Sequence, residues 1–174
     1  MNKTLIITMF FTTILTASVS FAQQGRFALW DGDPNGTVTI DYFTGLLWEK
    51  NPYKGSTYRN WQDALHDCAI LTTAGLQWRL PDIKELRSTV DNRMYDPATD
   101  QNWFTMYSYN WNYAWHRFYW SSPTVVESNY GGSKAWVVDF YSGKVVKGAK
   151  NSGPYAMIRC VSTPNTQQQT TTAP

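Results

Sequence analysis

The sequence predicts one domain of the α+β class. Patterns typical of strands come first, two segments with helical spacing of apolar side chains follow, and further strand patterns close the chain after a long irregular region. The strands are grouped at the two ends of the domain and do not alternate with the helices. This order favours an α+β domain over an alternating α/β domain.

Residues 1–22 have the features of a secretory signal peptide. Lys3 supplies a positive charge, an apolar stretch from Leu5 to Val19 follows, and Ser20 and Ala22 are the small residues that a signal peptidase requires. The alternative is a membrane anchor, but the stretch is shorter than the roughly 20 residues of a spanning helix. We therefore expect cleavage after Ala22 and a secreted or periplasmic protein that is not embedded in a membrane.

Cleavage would leave about 150 residues, a length that suits one domain with one core. We assign this domain to residues 23–162. Residues 163–174, rich in Thr and Gln, are expected to form a disordered tail. The formal net charge of the whole chain is only +2, so its composition gives no electrostatic reason to expect nucleic acid as a partner.

The only two cysteines are Cys68 and Cys160. In an oxidising compartment we expect them to form a disulfide. A zinc site would need further ligands, and the only histidines, His66 and His116, lack the paired spacing of such sites. We therefore expect no metal at the cysteines.

The strands and helices can be placed approximately. Residues 23–37 are expected to be a polar lead-in, and Val38 to Lys50 two strands around a Thr44-Gly45 turn. Later strands are predicted at 119–122, 135–141, 144–146 and 157–161.

Two helices are predicted between these groups of strands. The first begins at Asn60, a good N-cap residue, and stops before Gly75. Its buried face carries Trp61, Ala64, Leu65, Cys68 and Leu71. The second begins near Pro81, where Asp82 and Glu85 have the spacing of a capping box, and it buries Ile83, Leu86 and Val90.

Six short motifs follow one another in the order of a known bacterial family. They are TVTIDYFTGLLW at 37–48, WQDAL at 61–65 with Cys68, WRLP at 78–81 with Glu85 and Leu86, WSS at 120–122, AWVVDF at 135–140, and RCV at 159–161. On these motifs, residues 37–161 resemble the Lcl C-terminal domain family, which is named for a collagen-like adhesin.

This resemblance implies a C-type-lectin-like fold, in which two helices flank a small twisted antiparallel sheet and the terminal strands pair. It also implies a disulfide from the first helix to the last strand, and a carbohydrate-binding role, because the adhesin binds sulfated glycosaminoglycans. Calcium-dependent lectins of this fold use Glu-Pro-Asn or Gln-Pro-Asp and Trp-Asn-Asp motifs, which this sequence lacks. Asp139 alone cannot complete a calcium cage, so we expect no calcium and no other cofactor.

We expect no enzymatic activity. His66 lies on the polar side of its helix, and Ser121 and Ser122 lack the Gly-x-Ser-x-Gly context of a nucleophilic serine. Arg79 and Glu85 could form a site. The simpler interpretation is that Arg79 satisfies loop carbonyl groups and Glu85 caps its helix.

The stretch from Gln101 to Trp120 is unusually aromatic: ten of its twenty residues are aromatic, against 16% for the whole chain. Five of these rings alternate strictly along the sequence: Tyr107, Tyr109, Trp111, Tyr113 and Trp115. In an extended backbone this spacing places all five on one face. Two interpretations are open, namely that the rings cover the core or that they form an exposed binding platform.

The leading functional hypothesis is an adhesin-like binding module that recognises a glycan, sulfated or unsulfated, or another cell-surface ligand. The predicted binding region is residues 103–117, and its predicted ligand-binding residues are the five alternating rings with His116 and Arg117. We call residues 107–117 the aromatic segment. The alternative is a protein–protein receptor or display module that uses the same segment like an antibody paratope. Four lysines form either a basic edge for a sulfated glycan or an ordinary solvated face: Lys134, Lys144, Lys147 and Lys150.

Overall fold

The computed structural model describes residues 25–52, 59–106, 117–127, 131–151 and 156–164. Within these ranges the chain forms two α-helices, one short 3-10 turn and seven strands, so the prediction of an α+β domain is confirmed. In chain order the elements are β1 (Phe27–Leu29), β2 (Val38–Asp41), β3 (Leu46–Glu49), α1 (Trp61–Ala69), the 3-10 turn (Thr73–Gly75), α2 (Ile83–Ser88), β4 (Phe118–Thr124), β5 (Lys134–Asp139), β6 (Lys144–Ala149) and β7 (Val161–Ser162). The predicted signal peptide and residues 165–174 of the predicted tail lie outside the described residues.

The strands form two small antiparallel sheets, whereas the resemblance implied one. The first sheet has the order β1-β2-β3-β7 and the second the order β4-β5-β6. Pairing of β3 with β7 joins the amino-terminal and carboxy-terminal parts of the domain, as the resemblance implied. The predicted strand at 157–161 is reduced to β7 because its residues change partners: Met157 pairs with Tyr119 of β4 before Val161 pairs with Trp48 of β3. This segment links the two sheets without merging them.

β1 was not predicted, since residues 23–37 were expected to be a polar lead-in. It is only three residues long and pairs with β2, with Phe27 opposite Asp41. The connection from β1 to β2 is held by the Asp33 carboxylate, which accepts hydrogen bonds from the backbone N–H groups of Thr37 and Val38 at 2.5 and 2.9 Å. A strand this short leaves almost no periodic signal in a sequence.

Both predicted helix starts are confirmed. The Asn60 side chain accepts a hydrogen bond from the Asp63 N–H at 2.8 Å and caps α1, and Asp82 with Glu85 forms a complete capping box on α2. α1 ends at Ala69, earlier than expected. The following residues instead form the 3-10 turn, where Gly75 adopts a positive φ of 67°.

The hydrophobic core consists of two clusters of buried side chains, and both sheets contribute to each. On β5, Val137 belongs to the first cluster and Val138 to the second, and on β3 the same holds for Leu47 and Trp48. Successive side chains of a strand point to opposite faces. β3 and β5 are therefore covered on both faces, which explains why these two strands are apolar runs without polar alternation.

The predicted disulfide is present. Cys68 on α1 is bonded to Cys160, just before β7, with their Cα atoms 5.5 Å apart, and both residues are completely buried. The bond closes a loop with a sequence separation of 92 residues. It therefore fixes the first helix against the last strand of the domain.

Replacing both cysteines, as Cys68→Ala with Cys160→Ala, should lower the free energy of unfolding by about 4–5 kcal/mol, because the closed loop is long. Urea denaturation of the oxidised wild type and the double variant measures this difference. Reducing agent should destabilise the wild type and leave the double variant unchanged. A double variant within about 1 kcal/mol of the oxidised wild type would contradict the prediction.

Candidate functional site

Six of the seven predicted ligand-binding residues lie outside the described residues: Tyr107, Tyr109, Trp111, Tyr113, Trp115 and His116. The structure describes Arg117 and the residues that lead into the aromatic segment. The candidate site is therefore built from the two ends of this segment and from the surface beside them.

The chain enters the aromatic segment from a firmly held stretch, residues 103–106. Phe104 and Met106 are buried in the second core cluster. The backbone N–H of Thr105 donates to the Lys50 carbonyl at 2.9 Å, and the Thr39 hydroxyl donates to the Trp103 carbonyl at 2.8 Å. This end of the segment is thus fixed to β2 and to the residue that follows β3.

A buried arginine strengthens the same attachment. Arg159 is almost completely buried, and its guanidinium donates to the carbonyl oxygens of Glu49 and Lys50, each at 2.6 Å, and of Thr105 at 2.8 Å. Its charge also lies 5.5 Å from the ring centroids of Phe104 and Tyr119. Burial lowers the pKa of Arg159, but the ordinary value is so high that the group stays charged.

The Glu49 side chain lies beside this cation. Its carboxylate accepts a hydrogen bond from the Cys160 N–H at 2.8 Å. Burial raises the pKa of Glu49 to about 7, and the hydrogen bond from Cys160 and the charge of Arg159 oppose this rise only in part. Below neutral pH the side chain is therefore mainly uncharged.

Arg117 holds the other end of the aromatic segment. Its Nε lies 3.3 Å from Oδ1 of Asp139, and its guanidinium lies 4.8 and 5.1 Å from the ring centroids of Phe118 and Tyr141. Its carbonyl accepts from the Phe140 N–H at 2.7 Å. With 37% of the side chain exposed, Arg117 can still meet a ligand, although Asp139 offsets part of its charge.

Two tyrosines that are not among the predicted site residues extend this surface. Tyr95, which is 63% exposed, lies edge-on to Tyr141 with ring centroids 4.5 Å apart. A side-chain hydrogen bond to Tyr141 is the main cause that raises the pKa of Tyr95 to about 12. The two residues meet because the Asp96 N–H donates to the Tyr141 carbonyl across the fold. A long-range contact of this kind has no signature in residue spacing.

The carboxylate of Asp139 is engaged in the turn that follows β5. Oδ1 accepts from the Tyr141 N–H and Oδ2 from the Ser142 hydroxyl, both at 3.0 Å. Among the described residues there is no group of three or more His, Cys, Asp or Glu side chains that could hold a metal ion. Asp139 thus positions the turn that carries Tyr141.

The other polar candidates have structural contacts. Ser121 is buried and its hydroxyl donates to the Trp136 carbonyl at 2.7 Å, while His66 is exposed on α1. The Arg79 guanidinium makes two bonds of 2.7 Å to the Glu85 carboxylate, and not to the loop carbonyls that we expected. Glu85 caps α2, as predicted.

At least three of the four lysines proposed as a basic edge have contacts within the fold: Lys134, Lys147 and Lys150. Lys147 forms an ion pair with Glu127. The Lys150 ammonium lies 3.7 Å from the ring centroid of Trp61 and donates to the Thr124 hydroxyl at 2.6 Å. Their charges are therefore partly used within the fold.

Comparison with known proteins identifies the family. The family model described as the Lcl C-terminal domain matches residues 36–162, most of the chain. This chain belongs to the Lcl C-terminal domain family. No curated protein matches it significantly. The family has no established specific function.

The match covers the region from just before β2 to the end of β7, so all but one of the described elements lie within the Lcl C-terminal domain. The exception is β1, which adds a strand to the edge of the first sheet. In the part of the chain that the structure describes, no helix is long and apolar enough to cross a membrane.

The raised pKa of Glu49 predicts a pH dependence of stability. An unfolded chain binds this proton only below about pH 4.5, whereas the folded domain keeps it up to about pH 7. The contribution of Glu49 to the free energy of unfolding should therefore fall as pH rises through this window, by on the order of 3 kcal/mol. Glu49→Gln should remove this fall. The free energy of unfolding of the variant should therefore rise relative to that of the wild type between pH 5 and pH 8.

Urea denaturation of both proteins at several pH values measures the difference. Glu85→Gln is the matched control, because the hydrogen bond from Arg79 leads the causes that lower the pKa of Glu85. The cost of Glu85→Gln should stay constant between pH 5 and pH 8 and should shrink only as pH falls below about 4.5, which is the opposite sign. A constant difference between wild type and Glu49→Gln over the window would show that Glu49 stays ionised throughout.

Proposed function

We propose that this chain is an exported, non-catalytic binding module with a C-type-lectin-like fold. It recognises a glycan or another cell-surface ligand, as an adhesin does, through the aromatic segment and the surface beside it. The proposal for the fold is supported by the pairing of β3 with β7 and by the disulfide from α1 to the residue before β7. Two helices and two antiparallel sheets accompany these features.

The observation that carries the functional proposal is the surface formed by Tyr95, Tyr141 and Arg117 at one end of the aromatic segment. Tyrosine rings offer flat apolar faces with a polar group at the edge, and sugar rings stack on such faces. A partly exposed guanidinium adds donors for hydroxyl or acidic groups of a ligand. Arg117 holds one end of the aromatic segment at this surface, and Thr105 holds the other end at Arg159.

Recognition in this proposal needs neither calcium nor catalysis. The carboxylate that a calcium site would require at Asp139 is occupied by the Tyr141 N–H, the Ser142 hydroxyl and Arg117. The hydroxyl of Ser121, which was weighed as a nucleophile, is buried and donates to a backbone carbonyl. These contacts support direct binding of a ligand by side chains.

A glycan array with the secreted chain tests the proposal. The triple variant Trp111→Ala, Tyr113→Ala, Trp115→Ala should lose binding by more than about tenfold and keep its melting temperature, because the proposal assigns these rings to the ligand and not to the core. Tyr95→Ala should weaken binding more mildly. Ile70→Ala, which removes an exposed apolar side chain at the end of α1, should change nothing.

Chelation of calcium should leave binding unchanged, and a steep loss with rising ionic strength would identify the ligand as sulfated or acidic. A triple variant that unfolds would show that the rings belong to the core. Failure of the wild type to bind any glycan would contradict glycan recognition and favour a protein partner for the same surface.

A further inference from the structure

A second surface of the molecule is concave. A cleft of about 580 Å³ opens between the start of β1, the end of α2 and the turn at residues 100–103. Its principal lining residues are Arg26, Phe27, Asp91, Arg93, Asp100 and Trp103. Its volume lies within the range of small-molecule binding sites. Because the family match begins at residue 36, the wall formed by Arg26 and Phe27 lies outside the matched region.

One wall of the cleft is aromatic and fixed. Trp103 is half-buried, packs against the second core cluster, and has its carbonyl held by the Thr39 hydroxyl at 2.8 Å. Phe27 lies edge-on to Phe104 with ring centroids 4.9 Å apart. Trp103 therefore adds an aromatic side chain to the lining of the cleft, and packing against the core sets its position.

The rim of the cleft carries arginine–carboxylate pairs that leave donors available. Arg26 binds Asp41 through Nε and Nη2 at 3.0 and 2.7 Å, and Arg93 binds Asp91 through the same two atoms at 3.0 and 2.8 Å. A guanidinium that uses these two atoms keeps the N–H groups of Nη1 on its other edge. Both arginines can thus donate to a ligand while their carboxylates hold them in place.

Asp100 supplies acceptors beside Trp103. Its Oδ1 accepts from the Asn102 N–H at 2.9 Å, and its carbonyl accepts from the Trp103 N–H at 3.2 Å. A carboxylate has about four lone-pair sites, so most of its capacity is left for hydroxyl groups. The same residue therefore shapes the turn and offers acceptors to the cleft.

The charges of the cleft decide the class of ligand. Each guanidinium already faces a carboxylate, and Asp100 adds a further negative charge, so no excess of positive charge would attract a sulfated or acidic group. Donors, acceptors and one flat ring in a cleft of this size match an uncharged, hydroxyl-rich ring. We propose that this cleft is a second binding site that takes an uncharged oligosaccharide, with one sugar ring stacked on Trp103. This site rests on the proposed glycan recognition and adds a ligand class that differs from a sulfated glycan.

The test titrates the full secreted chain, labelled with ¹⁵N, with uncharged hexasaccharides of glucose, mannose, galactose and N-acetylglucosamine. We expect at least one of them to shift the amide signals of residues 25–27, 88–93 and 100–103. Asp100→Asn, which preserves the turn, and Arg93→Ala, whose side chain is 89% exposed, should each weaken binding by about tenfold. Lys84→Ala, an exposed change on α2 outside the lining, should not.

The aromatic-segment variant separates the two proposals. The triple variant Trp111→Ala, Tyr113→Ala, Trp115→Ala should keep the cleft shifts, and a change from low to high salt should alter the affinity less than about twofold. Sugars that bind the wild type but shift no cleft signals would overturn the cleft proposal and leave the proposed function standing. Displacement from the cleft by a heparin hexasaccharide would overturn the assignment of an uncharged ligand. Binding of none of these sugars would overturn the cleft proposal and contradict glycan recognition, and it would favour a protein partner for the aromatic segment.

Discussion

The buried charge of Arg159 is the constraint on which much of this domain depends. A guanidinium removed from water is very costly unless its N–H groups find partners. Here backbone carbonyls meet this need: those of Glu49 and Lys50 at the end of β3, and that of Thr105 before the aromatic segment. Residues that lie far apart in the chain must therefore come together around one side chain. Removing the cation would take this donor away from all three carbonyls, of which that of Lys50 would keep the Thr105 N–H.

The neighbours of Arg159 in the closing segment of the domain make several further contacts. Cys160 bonds α1 through its sulfur and the Glu49 carboxylate through its N–H. Val161 pairs with β3 and exchanges two backbone hydrogen bonds with Arg79. Met157 reaches β4 of the other sheet. The closing segment thus connects both sheets, the first helix and one attachment of the proposed binding surface.

The sequence predicted the features that depend on neighbours in the chain. The caps of both helices, the β2–β3 turn and most strands follow from local patterns, and the disulfide followed from cysteine number and expected compartment. Features that depend on distant contacts were missed. Nothing in the spacing of Tyr95 and Tyr141 shows that they are in contact. β1 is too short to show an alternation of apolar and polar residues. An arginine within a predicted strand gives no sign in the sequence that its side chain is buried. The cleft was missed for the same reason, since its walls come from three separate parts of the chain.

The most direct test of this account measures amide hydrogen exchange in Arg159→Met, with Arg79→Met as a control that removes a half-exposed arginine. If Arg159 holds Thr105 in place, the Thr105 amide, which donates to the Lys50 carbonyl, should lose much more protection in Arg159→Met than the amides that join β5 to β6. Arg79→Met should leave the Thr105 amide protected. Equal loss of protection at all these amides, or none at Thr105, would contradict the claim that Arg159 holds Thr105, the residue that leads into the aromatic segment.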